Sequence, residues 1–476
     1  MRRALTKLVT TIGPSSEEAE SLRKCVAAGM NVMRLNFSHA TREEFFRRIR
    51  NLSAATTEVA TLLDTRGPEI RLGGLRACKN DRKAKIELRE GDELVLTTDS
   101  AVDGDGDETK MFVDYPRLAD KVVPSTLVLL DDGAISLRVR DVLGDAAVCV
   151  VENTGRIGER KGVNLPGVPL ELPPMSREDE VDIRFGIEHG IDIIAASFVH
   201  DGAGVDMIRA HVDACVREVG KDYESGDSPM VVAKIESVEA LRNLDEIIDS
   251  ADGIMVARGD LGVEVPLVDV CQWQKDIVAK CRDKGKPVVV ATEMLDSMSA
   301  NPRPTRAEVA DVTNAVLEYA DAVMLSGESA NGDYPVAAVQ TQRDICRSTE
   351  SWLERKNRDD PILDAREALA LAAVTAQRAC GAAAIVVKET ERGATARSVA
   401  RFAPNVPVLA VCDSPRVARQ LALSRGVVAT HQVVGDDFSP VALARNILND
   451  HDDDDDDNAQ PVVVVTIVDG AVGIVQ

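Results

Sequence analysis

Asp252-Gly253-Ile254-Met255-Val256-Ala257-Arg258-Gly259-Asp260-Leu261-Gly262 is a short apolar run that ends in a basic, glycine and acidic turn. It is too short for a core helix and lacks polar alternation, so it reads as a strand buried on both faces. Seven more runs share that character: Lys7–Ile12, Asn31–Leu35, Ala60–Leu63, Ile193–Ser197, Val231–Lys234, Val288–Ala291 and Ala322–Leu325. Many of them end in a polar or glycine-rich turn before a helical stretch. Eight such βα units in about 330 residues predict an α/β fold built on a TIM (β/α)8 barrel.

One connection is far too long for a βα loop. Leu63 to Ile193 spans about 130 residues, against the usual handful. Inside it the period changes to two, in Lys85–Leu88, Glu93–Thr97, Leu127–Leu130, Ser136–Val139 and Ala146–Val151. A small β-barrel domain inserted after the third strand accounts for both observations. After Tyr334-Pro335 comes a long helical stretch, a charged segment and then a new α/β pattern over Arg366–Ile467. The expected units are residues 1–66 with 165–337 (barrel), 67–164 (insert) and 338–476 (C-terminal α/β domain, with a possible effector site).

The chain has 476 residues, 45% of them hydrophobic, and a net charge of -23 from 79 acidic and 56 basic residues. Such a surface repels phosphate backbones, so nucleic acid is excluded as a main partner. No apolar run approaches the roughly 18 residues of a membrane span, and the first residues lack the core of a signal peptide. The nine cysteines form no Cys-x-x-Cys pair, which points to small buried hydrophobes in a reducing compartment.

In a TIM barrel, catalysis is built at the carboxyl ends of the strands. Those ends carry Arg34, Lys234, Glu236, Asp260 and Thr292, which are expected at one mouth. Two carboxylates from neighbouring strands suit Mg²⁺, which takes few protein ligands. A lysine and an arginine beside it suit phosphoryl transfer, where charge develops on phosphoryl oxygens. Taken singly, each acid reads more simply as half of an ion pair, and Thr305-Arg306-Ala307-Glu308 as a capping box. The acidic run Asp452–Asp457 reads as a solvated loop.

Several blocks then carry a resemblance. Lys7–Ser16, Gly29–His39, Asp64–Arg71, Lys161–Gly167, Lys234-Ile235-Glu236, Asp252–Gly262, Ala291–Leu295 and Asn301–Glu308 stand in the order found in pyruvate kinases, which the chain resembles over nearly its whole length. Other barrels acting on phosphoenolpyruvate lack the inserted domain and the Asp64–Arg71 block.

The resemblance implies transfer of phosphate from phosphoenolpyruvate to ADP, giving pyruvate and ATP, in the last step of glycolysis. It implies Mg²⁺ (or Mn²⁺) on Glu236 and Asp260, and K⁺ on Asn36, Ser38, Asp64 and Thr65. Lys234 would stabilise the moving phosphoryl group, Arg34 would grip phosphate, and Thr292 would stand near the protonation step. The N–H groups of Gly259 and Asp260 would take the substrate carboxylate. Asn36, His39, Arg71 and Lys161 would face the nucleotide. A cytoplasmic homotetramer is implied too. Arg66, Ala40 and Ser329 depart from the family pattern, as does the presumed effector loop Thr390–Thr395. There Glu391 and Arg392 predict no response to fructose 1,6-bisphosphate. Glu69 predicts a need for K⁺, unless it merely pairs with Arg71 or Arg66. The acid excess is read as adaptation to a salty cytosol.

Overall fold

The structure is a computed structural model that describes residues 4–38, 40–79, 81, 83–219, 227–353, 362, 364–389, 392–431, 439–449, 463–468 and 470–475. His39, Thr390, Glu391 and Asp452–Asp457 lie outside the described residues.

Eight parallel strands close into a barrel: Lys7–Thr11, Val32–Asn36, Ala60–Asp64, Ile193–Ala196, Met230–Ile235, Gly253–Ala257, Val288–Ala291 and Ala322–Leu325. Side chains alternate across each strand, and the two parities build separate cores. Val9, Val32, Leu62, Val232, Met255, Val289 and Met324 belong to the barrel interior. Leu8, Met33, Leu63, Val231, Ile254, Val290 and Val323 pack with residues of the surrounding helices, such as Leu22, Phe45 and Ile183. Both faces are apolar, so the strands read as unbroken runs.

The same parity sets the mouth. Two residues beyond Val32 stands Arg34, beyond Leu62 stands Asp64, and beyond Val232 stand Lys234 and then Glu236. An interior-facing row thus turns polar at its carboxyl end.

The residues between strands three and four form a six-stranded sheet in the order Val163–Asn164, Leu127–Leu130, Ile135–Leu143, Ala146–Val151, Glu93–Thr97, Lys110–Phe112. A two-stranded ribbon, Ile86–Leu88 with Gly155–Ile157, joins it around one apolar core. The expected Ser136–Val139 strand runs further, to Leu143, through a bulge between Val139 and Asp141. The C-terminal unit is a five-stranded sheet ordered Val427–His431, Val408–Cys412, Ala384–Glu389, Val464–Val468, Ala471–Val475, parallel except for its last pair. Thr305 and Glu308 form the expected capping box, and all nine cysteines are free, seven of them buried.

At the amino ends of the strands, buried charges join the barrel to the C-terminal unit. Asp192 accepts Thr61 N–H and Oγ1 at 2.9 and 3.0 Å and both its oxygens accept Arg419 Nε at 3.0 and 3.1 Å. Asp321 accepts the Arg425 and Val288 N–H groups, and burial pushes its carboxyl up to about 6. Glu350 accepts the N–H groups of Leu5 and Thr6.

Candidate active site

A cleft of about 790 Å³ opens at the carboxyl ends of the strands, between barrel and insert. Of the residues singled out from sequence, Arg34, Asn36, Ser38, Asp64, Arg71, Lys161, Lys234, Glu236, Asp260 and Thr292 line it. Thr65 and Gly259 stand just behind that lining, each bonded to residues of it: Ser197 and Thr292 respectively.

Lys234 is the floor. Its buried ammonium lies 3.1 Å from Asp64 Oδ1 and 2.8 Å from Glu236 Oε1, and it donates to Ser197 Oγ at 2.7 Å. Burial works against that charge, but Asp64 and Glu236 more than offset it and hold the lysine pKa above its norm. The group is therefore a fixed cation and not a base. Arg34 donates from Nε to Asp64 Oδ2 at 2.6 Å and from Nη1 to Thr11 Oγ1 at 2.8 Å. Burial alone would raise the Asp64 carboxyl; the Arg34 and Lys234 charges hold it below the usual range.

Glu236 behaves differently. Its Oε2 accepts the Phe198 N–H at 2.6 Å, from a residue with φ +54°. Its Oε1 is buried against the Lys234 ammonium at 2.8 Å and, among the described residues, meets no other donor. Burial, reinforced by Asp260, raises this carboxyl above the usual range against the pull of the Lys234 charge. Keeping this carboxylate charged calls for more positive charge than Lys234 alone supplies, so Glu236 and Asp260 in one cleft wall suit a hard divalent cation. Among the described residues no group of three or more His, Cys, Asp and Glu gathers as a closed metal cage. A pair with open surroundings fits Mg²⁺ better than it fits an all-protein site.

Thr292 and Glu293 both have positive φ, +69° and +52°, so the seventh strand ends in a strained turn. Arg258 braces it by donating to the Ala291 and Thr292 carbonyls at 3.1 and 2.6 Å. Thr292 Oγ1 donates to Ala291 O and accepts the Gly259 N–H at 2.7 Å. That N–H, expected to meet a substrate, is thus occupied by the chain itself. A Cβ at position 259 would meet Thr292 only at an ordinary 3.6 Å, so the fold does not demand glycine there.

From the insert, Lys161 pairs with Asp131 at 2.8 Å, and Arg71 pairs with Glu69 while donating to the Arg160 carbonyl at 2.9 Å. The pairing of Glu69 is the plainer of the two readings of that residue. Burial raises its carboxyl, and Arg71 only partly counters this. Arg66 lies 3.7 Å from Asp182, and its N–H is held by Asp179 at 3.0 Å. Ser329 donates to the Thr11 carbonyl at 2.8 Å, a bond that threonine also makes, which explains why this departure is tolerated.

Ser197 is the residue that sequence reading passed over. It is buried; its N–H meets Thr65 Oγ1 at 3.0 Å and its hydroxyl reaches Thr65 O at 2.7 Å and Asp64 Oδ1 at 3.2 Å. It therefore ties the Asp64-Thr65 turn to Lys234. Its signal was its place, a polar residue at the carboxyl end of the fourth run.

In the C-terminal unit, Arg392 has φ +52° and donates to Ser228 O at 2.9 Å. The Ala396 N–H, in the first turn of helix Ala394–Arg401, is taken by the buried Glu389 carboxylate at 2.9 Å.

Comparison with known proteins agrees with this geometry. The family model described as pyruvate kinase, barrel domain matches residues 2–339, and that described as pyruvate kinase, alpha/beta domain matches 367–453. A pyruvate kinase of Geobacillus stearothermophilus is 44% identical over 92% of this chain and 74% of its own length. One of Homo sapiens is 42% identical over 89% of this chain and 74% of its own. The solved structure of a pyruvate kinase from Cryptosporidium parvum superposes with a TM-score of 0.89 at 35% identity, covering 100% of this chain and 96% of that one. With that barrel, that cleft and these likenesses, the chain belongs to the pyruvate kinase family.

Proposed function

We propose that this enzyme transfers the phosphoryl group of phosphoenolpyruvate to ADP, giving pyruvate and ATP in the last step of glycolysis. The observation that carries the reading is the buried Lys234 ammonium, kept charged between Asp64 and Glu236 on the floor of an open cleft. An oxygen of ADP attacks phosphorus, the enolate oxygen leaves, and the enolate then takes a proton at carbon. Lys234 supplies positive charge to the phosphoryl oxygens without giving up a proton. Arg34, with Nε and Nη1 committed to Asp64 and Thr11, offers Nη2 to phosphate. Glu236 and Asp260 would hold Mg²⁺ (or Mn²⁺), which when bound supplies Lewis-acid charge beside the phosphoryl group. Asn36, Ser38, Asp64 and the Thr65 carbonyl form an all-oxygen set suited to K⁺.

The Gly259 and Asp260 N–H groups would receive the substrate carboxylate, with Thr292 Oγ1 leaving Gly259 for it. Proton delivery by Thr292 needs its bond to Ala291 O broken, a neutral bond worth about 1 kcal/mol net. Arg71 and Lys161 come from the insert, so nucleotide binding would exchange their present carboxylate partners for phosphates. Asn36 and His39 complete that side. The reading keeps barrel boundaries at 1–66 and 165–337, an insert at 67–164 acting as a lid, and a C-terminal unit at 338–476. A cytoplasmic homotetramer belongs to the same proposal; among the described residues no helix is long and apolar enough to cross a membrane. The Glu389 carboxylate on Ala396 N–H supports the absence of a fructose 1,6-bisphosphate response. A coupled assay of pyruvate formation from phosphoenolpyruvate and ADP, with Mg²⁺ and with it chelated, tests the proposal. Turnover only with the metal is expected, and no turnover in either condition refutes the reading.

A further inference from the structure

Five cations line one small cavity between the base of the barrel and the C-terminal unit: Arg282, Lys286, Arg397, Arg401 and Arg425. In a chain with a net charge of -23 this inverts the average surface. One carboxylate, Asp321, lines the same cavity, and its oxygens already accept the Arg425 and Val288 N–H groups at 2.9 and 3.1 Å. Glu367 answers Arg401, and Glu350 reaches Arg425 at 4.0 Å. Lys286 gives its ammonium to the carbonyls of Ala251 and Asp249, at 2.6 and 3.4 Å. Arg397 donates to the Arg392 carbonyl and to the Met230 sulfur, and Asp252 and Glu389 act on it only from further off. Among the described residues, neither Lys286 nor Arg397 closes an ion pair with a carboxylate.

A second observation points the same way. Ser424 Oγ, Arg425 Nε and Arg397 Nε are buried without a hydrogen-bond partner, and Ser424 and Arg425 are only 2% and 6% exposed. Native proteins leave few such groups, and all three belong to residues that line this cavity. The Tyr319 ring lies 4.3 Å from the Arg282 guanidinium and 5.3 Å from that of Arg425, which keeps both beside the space.

We propose that this cavity binds one halide-sized anion, chloride in practice, that bridges the barrel to the C-terminal unit. Size favours this ligand over phosphate: the free volume is about 30 Å³, only about two to three times the roughly 10–15 Å³ that admits a single water. Charge favours it over water, which fills the space and leaves Lys286 and Arg397 without an anion in contact. The site takes one residue set from each unit, so the anion binds only when the units are docked. By mass action it therefore stabilises the docked state.

Screening of a surface this acidic depends on ionic strength and is blind to the anion; a built site is not. Thermal unfolding of the full chain in sodium chloride and in sodium gluconate at matched ionic strength separates the two. Chloride is expected to raise the melting temperature along a saturating curve above the gluconate values. Ser424→Ala, which removes an unpartnered hydroxyl, and Arg397→Gln should close the gap between the salts. Bromide soaked into wild-type crystals should give an anomalous peak among Ser424, Arg397 and Arg425, a readout that does not depend on any variant folding. Equal melting curves in both salts, or no bromide peak in the cavity, overturns the proposal.

Discussion

The two ends of one barrel bury charge to opposite effect. At the carboxyl ends, Arg34, Asp64, Lys234 and Glu236 border a cleft of about 790 Å³, and Glu236 Oε1 meets the Lys234 ammonium alone among the described residues. At the amino ends, Asp192, Asp321 and Glu350 are met by backbone N–H groups and by guanidinium groups of the C-terminal unit. A buried ion pair is weak evidence of either stability or function by itself. What distinguishes the mouth is adjoining space, which leaves its charges room for a further partner. At the base, the small cavity lined by cations is a place of that kind.

The comparison breaks if charge at the base is dispensable. Asp192→Ala strips the buried carboxylate from half-buried Arg419, from buried Arg416 and from the Thr61 N–H and hydroxyl, and should cost roughly 3–5 kcal/mol of stability, read by denaturant unfolding. Turnover per folded molecule should stay near normal; a variant as stable as wild type removes the base from the argument. The mouth should answer the other way. Ser197→Ala deletes a bond to a charged group worth about 1.5–3 kcal/mol, so kcat should fall on the order of tenfold or more, with little change in melting temperature. A shift in melting temperature with unchanged kcat makes Ser197 merely structural.

A third test sharpens the electrostatics of the mouth. Replacing K⁺ by tetramethylammonium should cost wild type on the order of tenfold in activity, the effect of one charge at roughly 10 Å in an effective dielectric near 20. Glu69→Lys should retain its activity without K⁺, since a fixed ammonium supplies the same field and also frees Arg71. Full wild-type activity in tetramethylammonium contradicts this.

The smallest effect is one of pH at the base. Burial pushes the folded Asp321 carboxyl up to about 6. Its contribution is complete below the unfolded pKa, near 3.9, and is lost as pH rises through 6. Relative to Asp321→Asn, wild type should therefore lose stability between about pH 4 and 6 and show no further change above. Parallel unfolding curves of the two proteins across that range check it; a constant difference means the group is ionised throughout.

Much of this was legible in the chain because a strand's period is two. Val32, Arg34 and Asn36, or Val232, Lys234 and Glu236, share a face whatever their distant partners, so apolar runs ending in charge announced both barrel and mouth. Strand Val427–His431 went unread, although Val-Val-Ala-Thr carries the pattern, because Ser424-Arg425-Gly426 before it reads as a helix end. The short strands Lys110–Phe112, Gly155–Ile157 and Val163–Asn164 hold too few residues to show any period. Tertiary bonds were beyond reach for a different reason. Arg419 with Asp192, or Glu389 on Ala396 N–H, depends on how separate elements dock. So does the capture of Gly259 N–H by Thr292, which the strained turn at positions 292 and 293 brings about.

The central claim is that the Lys234 charge serves phosphoryl transfer and not the fold. Lys234→Met should be assayed for pyruvate formation from phosphoenolpyruvate and ADP, beside proton exchange at the methyl group of pyruvate. The account predicts a fall of about 10²–10³-fold or more in transfer, with exchange persisting and the cleft still binding phosphoenolpyruvate. Near-wild-type pyruvate formation by this variant would contradict it.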